Sequence, residues 1–170
     1  TPDEVAAFLP RLSAAMMGGA PLLPLPPPGP ERERLRAAGA GCLAADSVAL
    51  VVPTSGSTGV PRLALLSATA LTASADRTHE ALGGPGRWLL ALPTTHIAGL
   101  QVLVRSLRAG LDPVVVAEGG GFSAASFRSA VDSMDVASSE QPHYTALVPT
   151  QLQRLLDDGL AYPCGCTRSD

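Results

Sequence analysis

The sequence predicts an α/β fold in which helices flank a largely parallel sheet and a β-hairpin carries a loop rich in serine and glycine. Two observations lead to this expectation. From residue 88 onward, short apolar segments alternate with amphipathic helical segments, which is the pattern of α/β units. Before them, two apolar segments, 48–53 and 63–66, flank the loop closely enough to pair as a hairpin.

The first elements follow from local composition. Residues 4–17 predict an amphipathic helix, because their apolar side chains recur at helical spacing. The proline-rich stretch 21–30 predicts an extended segment packed across the domain, since proline blocks helix formation and removes a donor; an SH3-type ligand is the alternative. A charged helical turn is expected at 31–38. After the hairpin, Ser67 is placed to cap a helix that ends near Leu82, before a run of glycines.

The later elements alternate between strand and helix. In chain order we expect a strand at 88–92, a helix at 98–109, a strand at 113–117, a helix capped by Ser123, a strand at 145–148 and a helix from Thr150, as its cap, to Leu156. His79 falls among Asp76, Arg77 and Glu80 in the helix after the hairpin, which predicts a solvated position for its side chain.

Composition excludes several classes of protein. The chain has 170 residues, a net charge of −3 and 46% hydrophobic residues, which fits one globular core and gives no electrostatic footprint for nucleic acid. No apolar run approaches the roughly 18 residues that a membrane span needs. No basic segment followed by an apolar one opens the sequence, so a cytoplasmic location is expected. Three cysteines, an odd number, argue against a disulfide framework.

The most specific stretch is residues 54–62, the Ser/Gly loop, which reads T-S-G-S-T-G-V-P-R. Glycines let the backbone turn tightly and approach a ligand, and successive N–H groups and hydroxyls can surround a polyphosphate. Arg62 ends the loop with a permanent cation whose planar fork of donors suits phosphate oxygens. It is not a Walker loop, which needs G-x-x-x-x-G-K-[ST] at the start of a helix. A plain turn between strands is the alternative, but the residue order is narrower than that and predicts a phosphate site.

The Ser/Gly loop resembles the phosphate-binding signature of the acyl-adenylate-forming superfamily, which includes acyl-CoA synthetases, luciferases and peptide-synthetase adenylation domains. The last residue of that signature is usually lysine, and Arg62 keeps its charge with a different reach. The resemblance implies ATP, Mg²⁺ and CoA as co-substrates, with the β- and γ-phosphates of ATP held in the loop while a carboxylate attacks the α-phosphate. By this resemblance the nucleotide-binding residues are Thr54, Ser55, Gly56, Ser57, Thr58, Gly59 and Arg62.

His96 lies in the segment L-P-T-T-H-I-A-G, where a predicted strand runs into a helix, and ligands of open α/β sheets bind at that edge. A lone histidine is more often a surface or structural residue, so its spacing alone does not assign it. The segment resembles the superfamily's second core segment, whose His or aromatic residue lies beside the acyl pocket, and His96 is therefore the candidate catalytic residue. It need not act as a base, because carboxylate attack on ATP removes no proton; positioning and charge neutralisation suffice.

A finer resemblance is to the o-succinylbenzoate–CoA ligases of menaquinone biosynthesis, in their actinobacterial form. It rests on the short stretch before the Ser/Gly loop, on the Pro/Leu-rich segment within it and on the block 86–106. It implies a dicarboxylic aromatic substrate, whose pocket would want a cation, and Arg87, Arg105 and His96 are the candidates. A surface position is the alternative for both arginines, and it is the one predicted for Arg105, which follows an apolar helical face.

The sequence lacks the superfamily's later motifs for adenine and ribose, and it contains no lysine that could serve as the catalytic lysine of the C-terminal domain. Residues 1–158 are therefore predicted to form an incomplete AMP-binding N-terminal domain, not active alone and prone to self-association through exposed surface. A non-catalytic nucleotide-binding or interaction module is the alternative of a different class.

Residues 159–170 form a tail of uncertain origin. Cys164 and Cys166 lie in G-L-A-Y-P-C-G-C-T-R, which resembles the stretch carrying the first zinc-ligand cysteines of glutamyl-tRNA synthetases and their tRNA-modifying paralogues. Tetrahedral zinc needs about four ligands, and no further Cys or His follows, so no metal site is predicted. A zinc-dependent enzyme of that kind rests on the tail alone and ranks third.

Overall fold

The computed structural model describes residues 1–40, 45, 47–54, 62–117, 121–137 and 141–163. These residues form α1 (Pro2–Met16), α2 (Pro30–Gly39), β1 (Val48–Thr54), β2 (Arg62–Ser67), α3 (Ala68–Leu82), β3 (Arg87–Leu90), α4 (Ile97–Ala109), β4 (Val114–Val115), α5 (Ala124–Ala137), β5 (His143–Thr145) and α6 (Pro149–Asp157). The order of elements is the one that the sequence predicts.

The hairpin forms as expected. Strands β1 and β2 pair antiparallel, and the pairing runs as far as Thr54 opposite Arg62. The proline-rich stretch lies beside the hairpin: Leu22 makes an isolated parallel bridge to Leu50. The Leu22 N–H donates to the Ala49 carbonyl, and the Leu22 carbonyl accepts from the Val51 N–H. This confirms that the stretch packs across the domain.

The second sheet is parallel, with the strand order β4-β3-β5. Because successive side chains of a strand point to opposite faces, β3 contributes to two cores. Trp88 and Leu90 pack with α1, α3, α4 and β1, whereas Leu89 and Ala91 pack with α5 and α6. The predicted α/β architecture, a hairpin followed by a parallel sheet with flanking helices, is confirmed.

Helix boundaries follow the predicted caps closely, with one exception. The Ser67 side chain accepts from the Ala70 N–H at the start of α3, and Gly83 and Gly110 end α3 and α4 in the left-handed conformation, at φ of 93° and 69°. Thr150, however, is not a cap. Val148 is the cap, and helix α6 begins at Pro149, two residues earlier than predicted, because proline suits the first helical position.

Two predictions about single side chains were wrong. His79 is buried, with only 6% of its surface exposed, because the α3 face that carries it packs against Trp88 rather than facing solvent. Arg105 is not a surface residue either: its guanidinium lies 5.0 Å from the centroid of the Trp88 ring. Strand ends also differ, since β5 begins at His143 and stops at Thr145, where the chain leaves the sheet towards α6.

Candidate functional site

The Ser/Gly loop is closed at its base by the hairpin. Thr54 and Arg62 face each other as the last pair of the β1–β2 register, and the Thr54 hydroxyl donates a hydrogen bond of 3.2 Å to the Arg62 carbonyl oxygen. Both residues are exposed. The other predicted phosphate ligands, Ser55, Gly56, Ser57, Thr58 and Gly59, lie outside the described residues, as do Cys164 and Cys166 of the tail. The hairpin therefore brings the two ends of the signature together.

His96 lies at the carboxyl edge of the parallel sheet, as the sequence predicts. It is the N-cap residue of α4, its N–H donates to the Pro93 carbonyl at 3.3 Å, and its carbonyl accepts from the Leu100 N–H at 3.1 Å. The imidazole makes no capping hydrogen bond and is exposed. The backbone of His96 is thus fixed by the turn, while its side chain is free to face a ligand.

Gly99 allows this turn to form. A Cβ atom at Gly99 would lie 2.3 Å from the Pro93 carbonyl oxygen and 2.9 Å from that of Leu92, both of them backbone atoms. Only a residue without a side chain lets the first turn of α4 approach the end of β3 so closely. The glycine of the H-I-A-G sequence is therefore a packing requirement of the site.

On the β5 side of β3, a glutamine on α6 binds the chain one residue past the end of the strand. The Gln151 side-chain amide donates to the Ala91 carbonyl at 2.9 Å, and its oxygen accepts from the Val148 N–H at 3.0 Å. Sequence reasoning missed this residue. The available signal was Gln at the third helical position after V-P-T, where a side chain can reach back to the N-cap.

One face of α4 carries an apolar residue at the carboxyl edge of the sheet and two polar residues further along the helix. Ile97, Gln101 and Arg105 are four residues apart, so they share a face of the helix. Within the described part of the chain, Gln101 Oε1 and Arg105 Nε are buried without a hydrogen-bond partner. Burial lowers the pKa of Arg105. Buried polar atoms are normally paired, so this face of α4 holds one acceptor and one donor whose hydrogen-bonding capacity is unused among the described residues.

His79 and Trp88 form a buried polar pair behind this face. The Trp88 indole N–H donates to His79 Nε2 at 3.4 Å, so the imidazole is neutral with its proton on Nδ1. The pKa of His79 is lowered, first by burial and then by the positive charges of Arg105 and Arg108, against an opposing effect of Asp76. Trp88 also packs against Tyr144, with 5.2 Å between ring centroids.

A cavity of about 670 Å³ opens at the carboxyl ends of β3 and β4. Leu92, Pro93, Thr94 and Thr95 line it from the turn before His96, and the proline-rich stretch and α1 close the other side. Ligand sites of open α/β sheets occur at this edge. Within the described ranges, no group of three or more His, Cys, Asp or Glu residues could hold a metal ion. None of the described helices is long and apolar enough to span a bilayer.

The three cations that the sequence offers for a second carboxylate lie at different positions along β3 and α4. Arg87 begins β3, at the amino end of the strand, and its N–H donates to the Pro142 carbonyl at 2.9 Å. His96 lies at the carboxyl edge. Arg105 lies on the α4 face that leads away from that edge, with a half-buried guanidinium. Of the three, only His96 therefore lies at the edge where a ligand would enter; Arg87 is at the opposite end of β3, and the guanidinium of Arg105 lies over Trp88, the residue that follows Arg87.

A hairpin that pairs the two ends of the Ser/Gly loop, and a parallel sheet flanked by helices with His96 at its carboxyl edge, define an α/β protein. The chain belongs to the family of AMP-binding enzymes, whose model matches residues 8–166.

Individual relatives agree with this assignment. The chain is 45% identical over 159 residues to the "Probable 2-succinylbenzoate–CoA ligase" of two Mycobacterium tuberculosis strains, a match that covers 94% of this chain and 40% of each relative. The chain therefore spans about 40% of the length of these curated relatives.

Solved structures of o-succinylbenzoate CoA synthetase from Bacillus subtilis are similar at 28% sequence identity. One, bound with its product analogue OSB-NCoA, superposes with a TM-score of 0.57 over 69% of this chain and 23% of its own. Another, in complex with ATP and a magnesium ion, has a TM-score of 0.51 over 65% of this chain and 28% of its own.

Proposed function

We propose that the chain is the N-terminal part of an ATP-dependent o-succinylbenzoate–CoA ligase. The observation that carries the proposal is the hairpin that pairs Thr54 with Arg62, because it closes the phosphate signature in a chain of the AMP-binding family. The acyl substrate, 2-succinylbenzoate, is inferred from the curated relatives at 45% identity. ATP and Mg²⁺ are inferred from the B. subtilis complex that contains them, and CoA is inferred from the relatives, which are named as CoA ligases.

The reaction proceeds in two steps. A carboxylate oxygen of the acid attacks the α-phosphorus of ATP, the bond to the bridging oxygen breaks, and pyrophosphate leaves with its electron pair. The CoA thiolate then attacks the acyl carbonyl, and AMP leaves. Neither the attacking carboxylate nor the departing AMP needs a proton from the protein, so the work of these residues is positioning and charge stabilisation.

Each site residue has a role in this scheme. Thr54, Ser55, Gly56, Ser57, Thr58, Gly59 and Arg62 hold the β- and γ-phosphates, with the hydroxyls and N–H groups as donors and Arg62 as the cation. Bound Mg²⁺ neutralises phosphate charge. His96, exposed at the end of β3, borders the acyl carboxylate.

The second carboxylate of the acid lies on Arg105. This cation is half buried, its Nε has no hydrogen-bond partner within the described residues, and it lies on the same face of α4 as Gln101, about two turns from the start of the helix beside His96. A guanidinium in that state gains most from a carboxylate, because charge-assisted hydrogen bonds strengthen where water is scarce. A cytoplasmic location, where ATP and CoA are made and used, completes the proposal. Self-association of the chain stays a prediction.

ATP binding by the chain itself tests the role of the loop. Equilibrium titration with ATP and Mg²⁺ should show saturable binding, and Arg62→Ala should weaken it by about ten- to a hundredfold, the value of a charge-assisted hydrogen bond. Arg62→Lys, which restores the usual residue of the signature, should bind nearly as well as the parent. Arg128→Ala, an exposed arginine on α5, is the matched control. Equal binding by all four proteins would refute the role of Arg62.

The ligase activity is tested in a chimera. Residues 1–158 replace the matching region of the M. tuberculosis relative, whose remaining length supplies the segments that this chain lacks. The chimera should form AMP and a CoA thioester from 2-succinylbenzoate, ATP and CoA, and Arg62→Ala should reduce the rate. A folded chimera that binds ATP but makes no thioester would overturn the proposed substrate while leaving the nucleotide site intact.

A further inference from the structure

The end of β3 is bound by a side chain where its backbone pairing has stopped. Strand β5 pairs with β3 only as far as Leu89 opposite Thr145. At that last pair the Thr145 hydroxyl also donates to the Leu89 carbonyl at 3.1 Å, and two residues further on the Gln151 amide donates to the Ala91 carbonyl at 2.9 Å. The Gln151 side chain thus binds the chain two residues past the last β5 pair, at the start of the turn that carries His96.

From this arrangement we infer that Gln151 is a positioning residue for the acyl site, acting through the β3–α4 turn. This rests on the proposed function for its catalytic meaning, since His96 is the group that would border the acyl carboxylate. Gln151 itself touches no ligand: its side chain is only 9% exposed, and both of its hydrogen bonds are to backbone atoms.

Among the residues that the structure describes, the last backbone bond before the turn between Ala91 and His96 is from the Val116 N–H to the Leu90 carbonyl, and the turn itself has few other attachments. On its α4 side it is limited by the close approach of Gly99 to Pro93, and internally by the His96 N–H on the Pro93 carbonyl. On the α6 side, within the described residues, the turn is held by the hydrogen bond from the Gln151 amide to the Ala91 carbonyl. Without it the buried Ala91 carbonyl loses its donor, and the turn can move away from β5.

The same Gln151 side chain also holds the start of α6 in place. Its oxygen accepts from the N–H of Val148, the N-cap residue of α6, so one amide ties the start of α6 to the end of β3. An amide is required for both bonds at once, because it has a donor and an acceptor at one end. A carboxylate of the same shape keeps the bond to Val148 and loses the bond to Ala91.

Two variants separate these contributions. Gln151→Glu should keep the start of α6 protected and release the turn, while Gln151→Ala should release both. The matched control is Gln153→Ala, because Gln153 is an exposed glutamine on the same helix whose amide bonds to Asp157 at 2.8 Å. The measurement is backbone amide hydrogen exchange by residue in the complete 170-residue chain, with the imidazole resonances of His96 as a second readout.

The expected result is localised. In Gln151→Glu, exchange at residues 92–97 should rise about tenfold or more and the His96 resonances should shift, while α5 and β1 keep the parent rates. Gln153→Ala should match the parent throughout. The inference is overturned if Gln151→Glu leaves residues 92–97 and His96 unchanged, or if exchange rises evenly over the whole chain, which a merely structural role would produce. Because no step needs catalysis, a failed ligase assay would not affect this result.

Discussion

Replacing Gly99 with alanine sets two effects of known size against each other. Alanine in a helix is favoured over glycine by up to about 1 kcal/mol, so an unobstructed position would be stabilised. At Gly99, however, the new Cβ would lie 2.3 Å from the Pro93 carbonyl oxygen and 2.7 Å from its carbonyl carbon. Carbon and oxygen rest at about 3.3 Å or more, so the turn or the start of α4 must move by about 1 Å.

The atoms that Gly99→Ala would meet are backbone atoms, which cannot rotate away as the end of a side chain can. Overpacking of this kind costs about 1–3 kcal/mol, and with both partners fixed in the backbone we take the upper end. After subtraction of the helix gain, the free energy of unfolding should fall by about 2 kcal/mol. The displaced turn carries His96, so the change should also disturb the candidate site.

Urea unfolding followed by the fluorescence of Trp88, the single tryptophan, measures this free energy. Gly29→Ala is the control, because Gly29 has an extended backbone and the nearest atom to a Cβ there, the Pro27 carbonyl oxygen, is 3.9 Å away. Its effect should stay within about 0.5 kcal/mol. A Gly99→Ala protein as stable as the parent, or more stable, would refute the argument that close approach requires this glycine.

Two further predictions concern the side chains behind the site. The lowered pKa of His79 means that the unfolded chain takes up its proton more readily than the folded one; His79 therefore contributes stability above its ordinary pKa of about 6.5 that is lost as the pH falls from there. Urea midpoints at pH 7 and 5 should show this loss in the parent and a smaller one in His79→Gln, and equal losses would contradict it. In the chimera, Arg105→Gln should raise the KM for 2-succinylbenzoate about tenfold or more and leave that for ATP unchanged, since a charge-assisted hydrogen bond is lost; Arg108→Gln, on the exposed side of α4, should change neither, and a parallel rise in both variants would argue against the role of Arg105.

Much of the fold could be predicted because its signals are local. Helix α3 begins at Ser67 and ends at Gly83, as a hydroxyl cap and a glycine stop predict. The hairpin follows from two apolar segments around a Ser/Gly loop, and the family follows from the residue order within that loop. The turn of His96 was likewise recognised from the short sequence that contains it. In each case the residues that decide the outcome are neighbours in the chain.

The sequence did not determine which side chains meet across the fold. Gln151 binds the carbonyl of a residue 60 positions earlier, and its role depends on where β5 leaves the sheet. His79 was predicted in solvent because its neighbours on the chain are charged, yet the packing of α3 on β3 buries it against Trp88. Arg105 was likewise predicted at the surface, yet its guanidinium lies over the ring of Trp88, a residue of β3. Capping, periodicity and turn chemistry act over a few residues and are readable in sequence, whereas burial and long-range hydrogen bonds exist only once the elements have packed together.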